Sequence, residues 1–143
     1  MNERGGTLSI LLVEDDDVAA EAVVRSLDKA GLRFPVVWAE DGEQALRVLR
    51  GRDPLREAQR PRVILLDLNM PRMDGFEFLQ QLRADADLRD DVVFVLTTSD
   101  ADRDRLRAYR EHIAGYMVKA ALGPQFARLA QLLTTYHQAV ELP

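Results

Sequence analysis

The chain has 143 residues, 47% hydrophobic and 30% charged, with a formal net charge of −5; that suits one globular domain and is too short for two. It contains no cysteine, so disulfides, thiolate metal sites and a cysteine nucleophile are excluded. No face or tail is strongly basic, no apolar run reaches membrane-spanning length, and the opening MNERGGTLS lacks an apolar signal core, which argues against nucleic-acid binding, membrane insertion and secretion and makes the cytoplasm the expected compartment.

Residues 1–7 read as a loose tail and residues 8–143 as the domain. LSILLV (8–13) is a short apolar strand. Residues 14–31 then change to a helical period, with Val23, Leu27 and Ala30 on one face, Val18 and Ala22 beside them, and Gly31 as the stop. FPVVWA (34–39) reads as a strand and DGEQALRVLR (41–50) as a helix with Ala45, Leu46 and Leu49 inward. Residues 51–62 have no clean period and read as a charged loop.

VILLD (63–67) is the third strand, and residues 73–84 carry Phe76, Leu79 and Leu82 at helical spacing. VVFVL (92–96) is the fourth strand, followed over 100–111 by a helix whose row is Leu106, Tyr109 and Ile113. GYMV (115–118) is the fifth strand. After KAALG, Pro124 suits a first helical turn, and Phe126, Leu129, Ala130, Leu133 and Val140 form the inner stripe of the last helix. Strands alternating with helices, several of them apolar throughout, predict an α/β fold with a parallel sheet covered on both faces.

In such sheets a site forms beyond the carboxyl ends of the strands. Those ends carry the polar residues here. The first strand runs into Glu14, Asp15, Asp16 and Asp17, the third into Asp67, the fourth into Thr97 and Thr98, and the fifth into Lys119. Each has an ordinary reading: acids at a helix start, a loop carboxylate, a β-forming threonine, a solvated lysine. Their coincidence at successive strand ends points to a site. Converging carboxylates repel unless a cation joins them, and an all-oxygen donor set suits Mg²⁺ or a similar hard ion such as Mn²⁺.

ILLVEDD (10–16), LLDLNMPRMDG (65–75), VLTTS (95–99) and GYMVK (115–119), in that order, resemble the receiver domain of two-component response regulators. The resemblance spans nearly the whole chain. It implies a flavodoxin-like, doubly wound five-stranded parallel sheet with strand order 2-1-3-4-5. It implies Asp67 as phosphoacceptor, Asp15 and Glu14 as the acids that hold Mg²⁺, the former directly and the latter mostly through water, and Asn69 as a ligand through its backbone carbonyl. Lys119 would pair with Asp67 before reaction and with a phosphoryl oxygen after it, Thr97 would bond another phosphoryl oxygen, and Tyr116 would be the aromatic switch. Asp16 and Asp17 match no ligand position; they read as a pocket neighbour and a first-turn helix acid. Pro71 and Gly75 shape the acceptor loop, and Met70 and Met73 pack.

Several residues depart from the family pattern. Ala120 follows Lys119 where proline is usual; a cis bond there would cost about 2.5–4 kcal/mol, so a trans bond and a displaced loop are expected. Thr98 is bulkier than the usual residue and is expected to narrow access to Asp67. His112 stands where glycine usually turns the chain and is expected to adopt a left-handed conformation. His137 reads as a surface or interface residue.

LTTSD, Tyr109, the HI pair at 112–113, the lysine without proline and the long 51–62 loop resemble the stand-alone regulators that work with phytochrome-type histidine kinases. That implies a sensor histidine kinase as partner, output through a downstream protein target, and a homodimer through the fourth helix, fifth strand and fifth helix, with Leu106, Tyr109, Leu132 and Tyr136 as candidates. The rival readings are a Mg²⁺-dependent phosphohydrolase and a phosphate-independent interaction module. The first expects an acid where Asn69 stands, and the second is disfavoured by the intact set Glu14, Asp15, Asp67, Thr97 and Lys119.

Overall fold

The apolar runs form the sheet around which the chain is built. In the computed structural model, which describes residues 7–143, β1 (Ser9–Val13), β2 (Val36–Ala39), β3 (Arg62–Leu66), β4 (Val92–Thr97) and β5 (Gly115–Val118) pair in parallel in the order β2-β1-β3-β4-β5. The helices are α1 (Asp17–Lys29), α2 (Gly42–Leu49), α3 (Gly75–Ala84), α4 (Asp102–Tyr109) and α5 (Ala127–Ala139), with 3-10 turns at Lys119–Ala121 and Pro124–Phe126. The expected tail falls, apart from Thr7, outside the described residues. The flavodoxin-like fold and its strand order are as the sequence predicts.

Side chains alternate across a strand, so each strand feeds two cores. Leu11, Val13, Ile64, Leu66, Val93 and Val95 meet α2, α3 and α4 through residues such as Leu46, Leu79 and Ala108. Ile10, Leu12, Val63, Leu65, Phe94 and Leu96 meet α1 and α5 through residues such as Val23, Leu27, Leu129 and Leu133. Two covered faces explain why these strands show no polar alternation. The register places Val13 beside Ala39 and Leu66, Leu66 beside Val95, and Thr97 beside Val118, so the strands end at a common edge.

The helix limits differ from the sequence reading for local reasons. The first helix starts at Asp17 because Asp16 is its cap: its side chain accepts the Val18 N–H at 2.9 Å, which leaves Glu14 and Asp15 in the loop above the sheet. Val18 and Ala30 are exposed rather than part of the inner face, while Val23 and Leu27 are buried. In α4 the inward residue is Ala108; Leu106 and Tyr109 are exposed, and Ile113 is buried beyond the helix end. His112 turns the chain at φ 61, as expected. The last helix begins at Ala127, since Pro124 opens a separate 3-10 turn in which Gln125 and Phe126 both have φ 55. Val140 caps α5 and is exposed, so it leaves the inner stripe.

The 51–62 loop has a structural task. Pro35 and Ala39 give their carbonyls to β1, so the carbonyl of Trp38 faces the open edge of β2. Arg56, held by Asp53, donates to that oxygen at 2.7 Å and covers the edge. At its end Arg62 joins β3 through a buried, two-pronged ion pair with Asp91, at 2.7 and 2.8 Å.

Candidate functional site

Because the strands end level, the residues that follow them meet. Glu14 follows β1 and its N–H donates to Ala39 O; Asp67 follows β3 and its N–H donates to Val13 O. Backbone bonds on neighbouring strands therefore fix both carboxylates. Glu14, Asp15 and Asp67 each offer an oxygen within 4.8 Å of the others, with Glu14 and Asp67 buried and Asp15 exposed. Lys119, on the first residue after β5, reaches across to this group. Its Nζ donates to Glu14 Oε1 at 2.7 Å and stands 3.8 Å from Asp67 Oδ2. The expected ion pair of Lys119 with Asp67 is present at long range, and Lys119 makes its shorter, hydrogen-bonded contact with Glu14. Ala120 is not preceded by a cis bond, and the chain turns directly into a 3-10 turn at Lys119.

Burial and a neighbouring carboxylate act against ionised Glu14. Burial pushes the Glu14 carboxyl up to about 7; the Lys119 bond pulls it down, and the neighbouring Asp67 raises it again. Two acids compete for one ammonium in a space that water reaches poorly. The residues fit a hard divalent cation: the donors are all oxygens, they converge, and one of them stays open to solvent.

The loop after Asp67 is closely held. The Asn69 N–H points at Asp67 Oδ1 at 3.4 Å, and the Gly75 N–H donates to Leu68 O at 3.0 Å. A Cβ on Gly75 would meet Asp67 O at 2.6 Å, so only glycine lets α3 start this near the strand end. Asp74 and Glu77 form a capping box at that helix start. Met70 is buried and Met73 half-buried in the core, consistent with packing.

Thr97 is fully buried at the end of β4, and its Oγ1 accepts the Ser99 N–H at 3.4 Å. Tyr116 donates its hydroxyl to Ser99 O at 2.9 Å, and Ser99 Oγ donates to Asp104 Oδ2 at 2.7 Å. Ser99, which the sequence reading passed over, therefore joins Thr97, Tyr116 and α4. Thr98 is exposed. Leu106 and Tyr109 lie exposed on α4, whereas Leu132 and Tyr136 are half-buried, Tyr136 standing edge-on to Phe94 with ring centroids 5.1 Å apart. His137 packs edge-on against Phe34, away from the acids.

Other residues around the site carried no sequence signal. The Trp38 indole donates to the Glu14 carbonyl at 2.7 Å and steadies the β1 end from β2. Asp41, buried at the start of α2, accepts Arg72 Nε at 2.9 Å and the Gln44 N–H at 2.9 Å.

Comparison with known proteins gives a consistent answer. The family described as response regulator receiver domain matches residues 10–131. A probable methanogenesis regulatory protein, FilR2 of Methanothrix harundinacea, is 37% identical over 130 residues, covering 89% of this chain and 81% of that protein. Response regulator Rcp1 of Synechocystis sp. is 31% identical over 135 residues, covering 94% and 92%. The structure of the Mn²⁺-bound form of response regulator Rcp1 superposes with a TM-score of 0.83 at 31% identity, covering 96% of this chain and 99% of that one. The phosphorylated cyanobacterial phytochrome response regulator RcpA superposes with a TM-score of 0.85 at 32% identity, with the same coverage. The narrower resemblance to phytochrome-associated regulators holds as well.

Proposed function

This chain belongs to the response regulator receiver family, and we propose that it accepts a phosphoryl group on Asp67 from a sensor histidine kinase. The observation that carries this reading is the convergence of Glu14, Asp15 and Asp67 with Lys119 reaching into the same space. Asp67 is the only one of these acids that follows the central strand β3 and lies between Lys119 and the Asn69 loop.

In the transfer, a carboxylate oxygen of Asp67 attacks phosphorus as the bond to the donor imidazole breaks, and the electron pair leaves with that ring. Glu14, Asp15, Asp67 and the carbonyl of Asn69 would hold Mg²⁺ or Mn²⁺, which neutralises charge on the phosphoryl oxygens when bound. Lys119 leaves Glu14 for a second phosphoryl oxygen. The Thr97 hydroxyl takes a third. Moving Thr97 disturbs Ser99, and through it Tyr116 and α4, so the added charge at Asp67 reaches the α4–β5–α5 face.

On this reading residues 8–143 form one cytoplasmic receiver domain whose output is protein–protein contact. A phytochrome-type kinase is the proposed donor, by analogy with the phytochrome regulator RcpA. Leu106, Tyr109, Leu132 and Tyr136 are the proposed contacts of a homodimer. Incubation with a ³²P-labelled phosphohistidine kinase tests the core of the reading: label passes to the wild type in Mg²⁺ and not to Asp67→Asn. Transfer that persists in Asp67→Asn refutes it.

A further inference from the structure

Besides the bonds described above, the acceptor loop has a tie that involves none of the three clustered acids. Its near end is set by β3. Its far end is fastened to the start of α2, where the Gly42 N–H donates to Met73 O at 3.2 Å and Asp41 Oδ2 accepts Arg72 Nε at 2.9 Å. The approach is tight: a Cβ on Gly42 would meet Met73 Cγ at 2.8 Å and Met73 O at 3.0 Å.

Arg72 itself is unusual. It holds φ 62, a left-handed conformation that is costly for any residue with a Cβ and for which glycine or asparagine is the ordinary choice. An arginine there is explained if its side chain contributes something. Its guanidinium reaches a carboxylate that is only 1% exposed, while the arginine is 64% exposed, so it covers Asp41 from the solvent side. Asp41 has a second task, capping α2 through the Gln44 N–H. The pair therefore ties a rigid helix start to the residue three positions after Asn69.

We infer that Asp41 and Arg72 are positioning residues for cation binding, fixing the loop that carries the Asn69 carbonyl. The inference rests on the metal reading above. Neither residue is among the acids proposed to hold the ion; each would act through the loop. Releasing the tie leaves the three acids in place but lets the Asn69 segment drift, which weakens binding without removing it.

The test is a Mn²⁺ titration of the full chain, read by the electron paramagnetic resonance signal of the free ion, with Mg²⁺ as competitor. Arg72→Asn keeps a residue tolerant of the left-handed backbone and removes the guanidinium. Asp41→Asn keeps a helix-capping side chain and removes the charge. Each is expected to weaken metal binding on the order of tenfold, with little change in thermal midpoint for Arg72→Asn. The double variant is expected to be no weaker than the worse single one, because both remove the same tie. Arg72→Lys is expected to recover part of the affinity. Wild-type affinity in both single variants overturns the inference while leaving the site reading intact. A wild type that takes up no metal overturns the site reading and the inference with it.

Discussion

Lys119 hydrogen-bonds Glu14 and forms only a longer ion pair with Asp67: its Nζ lies 2.7 Å from Glu14 Oε1 and 3.8 Å from Asp67 Oδ2. The ammonium thus offsets the charge of Glu14, a buried acid of the proposed metal site, more directly than that of Asp67, the proposed nucleophile. On the proposed reading, a cation held by the acids would supply that neutralisation, and Lys119 would then be free to meet a phosphoryl oxygen.

Removing the charge of Glu14 should show in metal binding. Glu14→Gln leaves a side chain of the same size without charge. It is expected to weaken Mg²⁺ affinity by about 10-fold or more, since one of the acids of the cluster is lost. Isothermal titration calorimetry reads this directly, and an unchanged affinity would remove Glu14 from the metal site.

The Arg62–Asp91 pair lies far from the chemistry and should act on stability alone. Both side chains are buried, at 8% and 1% exposure. Asp91→Ala strands the guanidinium and is expected to cost about 3–5 kcal/mol in urea unfolding. The double change Arg62→Met with Asp91→Leu is expected to cost much less, because no buried charge is left alone. Equal losses in the two proteins would contradict this.

The Asp41 carboxyl gives a pH signature. Burial pushes it up, but the Gln44 N–H and the Arg72 guanidinium outweigh that and hold it below its ordinary value. A lowered acid binds fewer protons folded than unfolded as the pH passes through its range. Its contribution to stability is therefore complete above about pH 4 and is lost as the pH falls through the lowered value. In urea titrations at stepped pH, Asp41→Asn should lose stability less steeply below about pH 4 than the wild type. Parallel curves would contradict the assignment.

Tyr116 tests the relay. Tyr116→Phe removes the bond to Ser99 O but no group that touches Asp67. It is expected to cost about 0.5–1.5 kcal/mol in stability and to leave the rate of labelling at Asp67 close to wild type. A labelling rate that falls as far as in Lys119→Ala would move Tyr116 from the relay into the site.

The elements that were readable in the sequence are those whose pattern is local. Five apolar runs bounded by charge marked the strands, and the strand-end positions of Glu14, Asp15, Asp67, Thr97 and Lys119 marked the edge where the site lies. What depended on tertiary contact was not readable. The row Leu106–Tyr109 has helical spacing, yet α4 is short and rests on Ala108, so these apolar residues face out. Val140 fits the period of α5 but follows its last turn. Ser99, Trp38, Asp41 and Arg72 matter through partners distant in sequence, such as Tyr116 for Ser99, Glu14 for Trp38 and Asp41 for Arg72, and no spacing announces such pairs.

The central claim is that the acids and Lys119 gather so that one of them, Asp67, carries phosphate. The most direct measurement traps the acyl phosphate formed in Mg²⁺ by borohydride reduction, which converts a phosphorylated aspartate to homoserine, and maps the product by peptide mass spectrometry. The account predicts homoserine at position 67 alone, and none when the metal is chelated. Homoserine at another aspartate, or the same yield without metal, would contradict it.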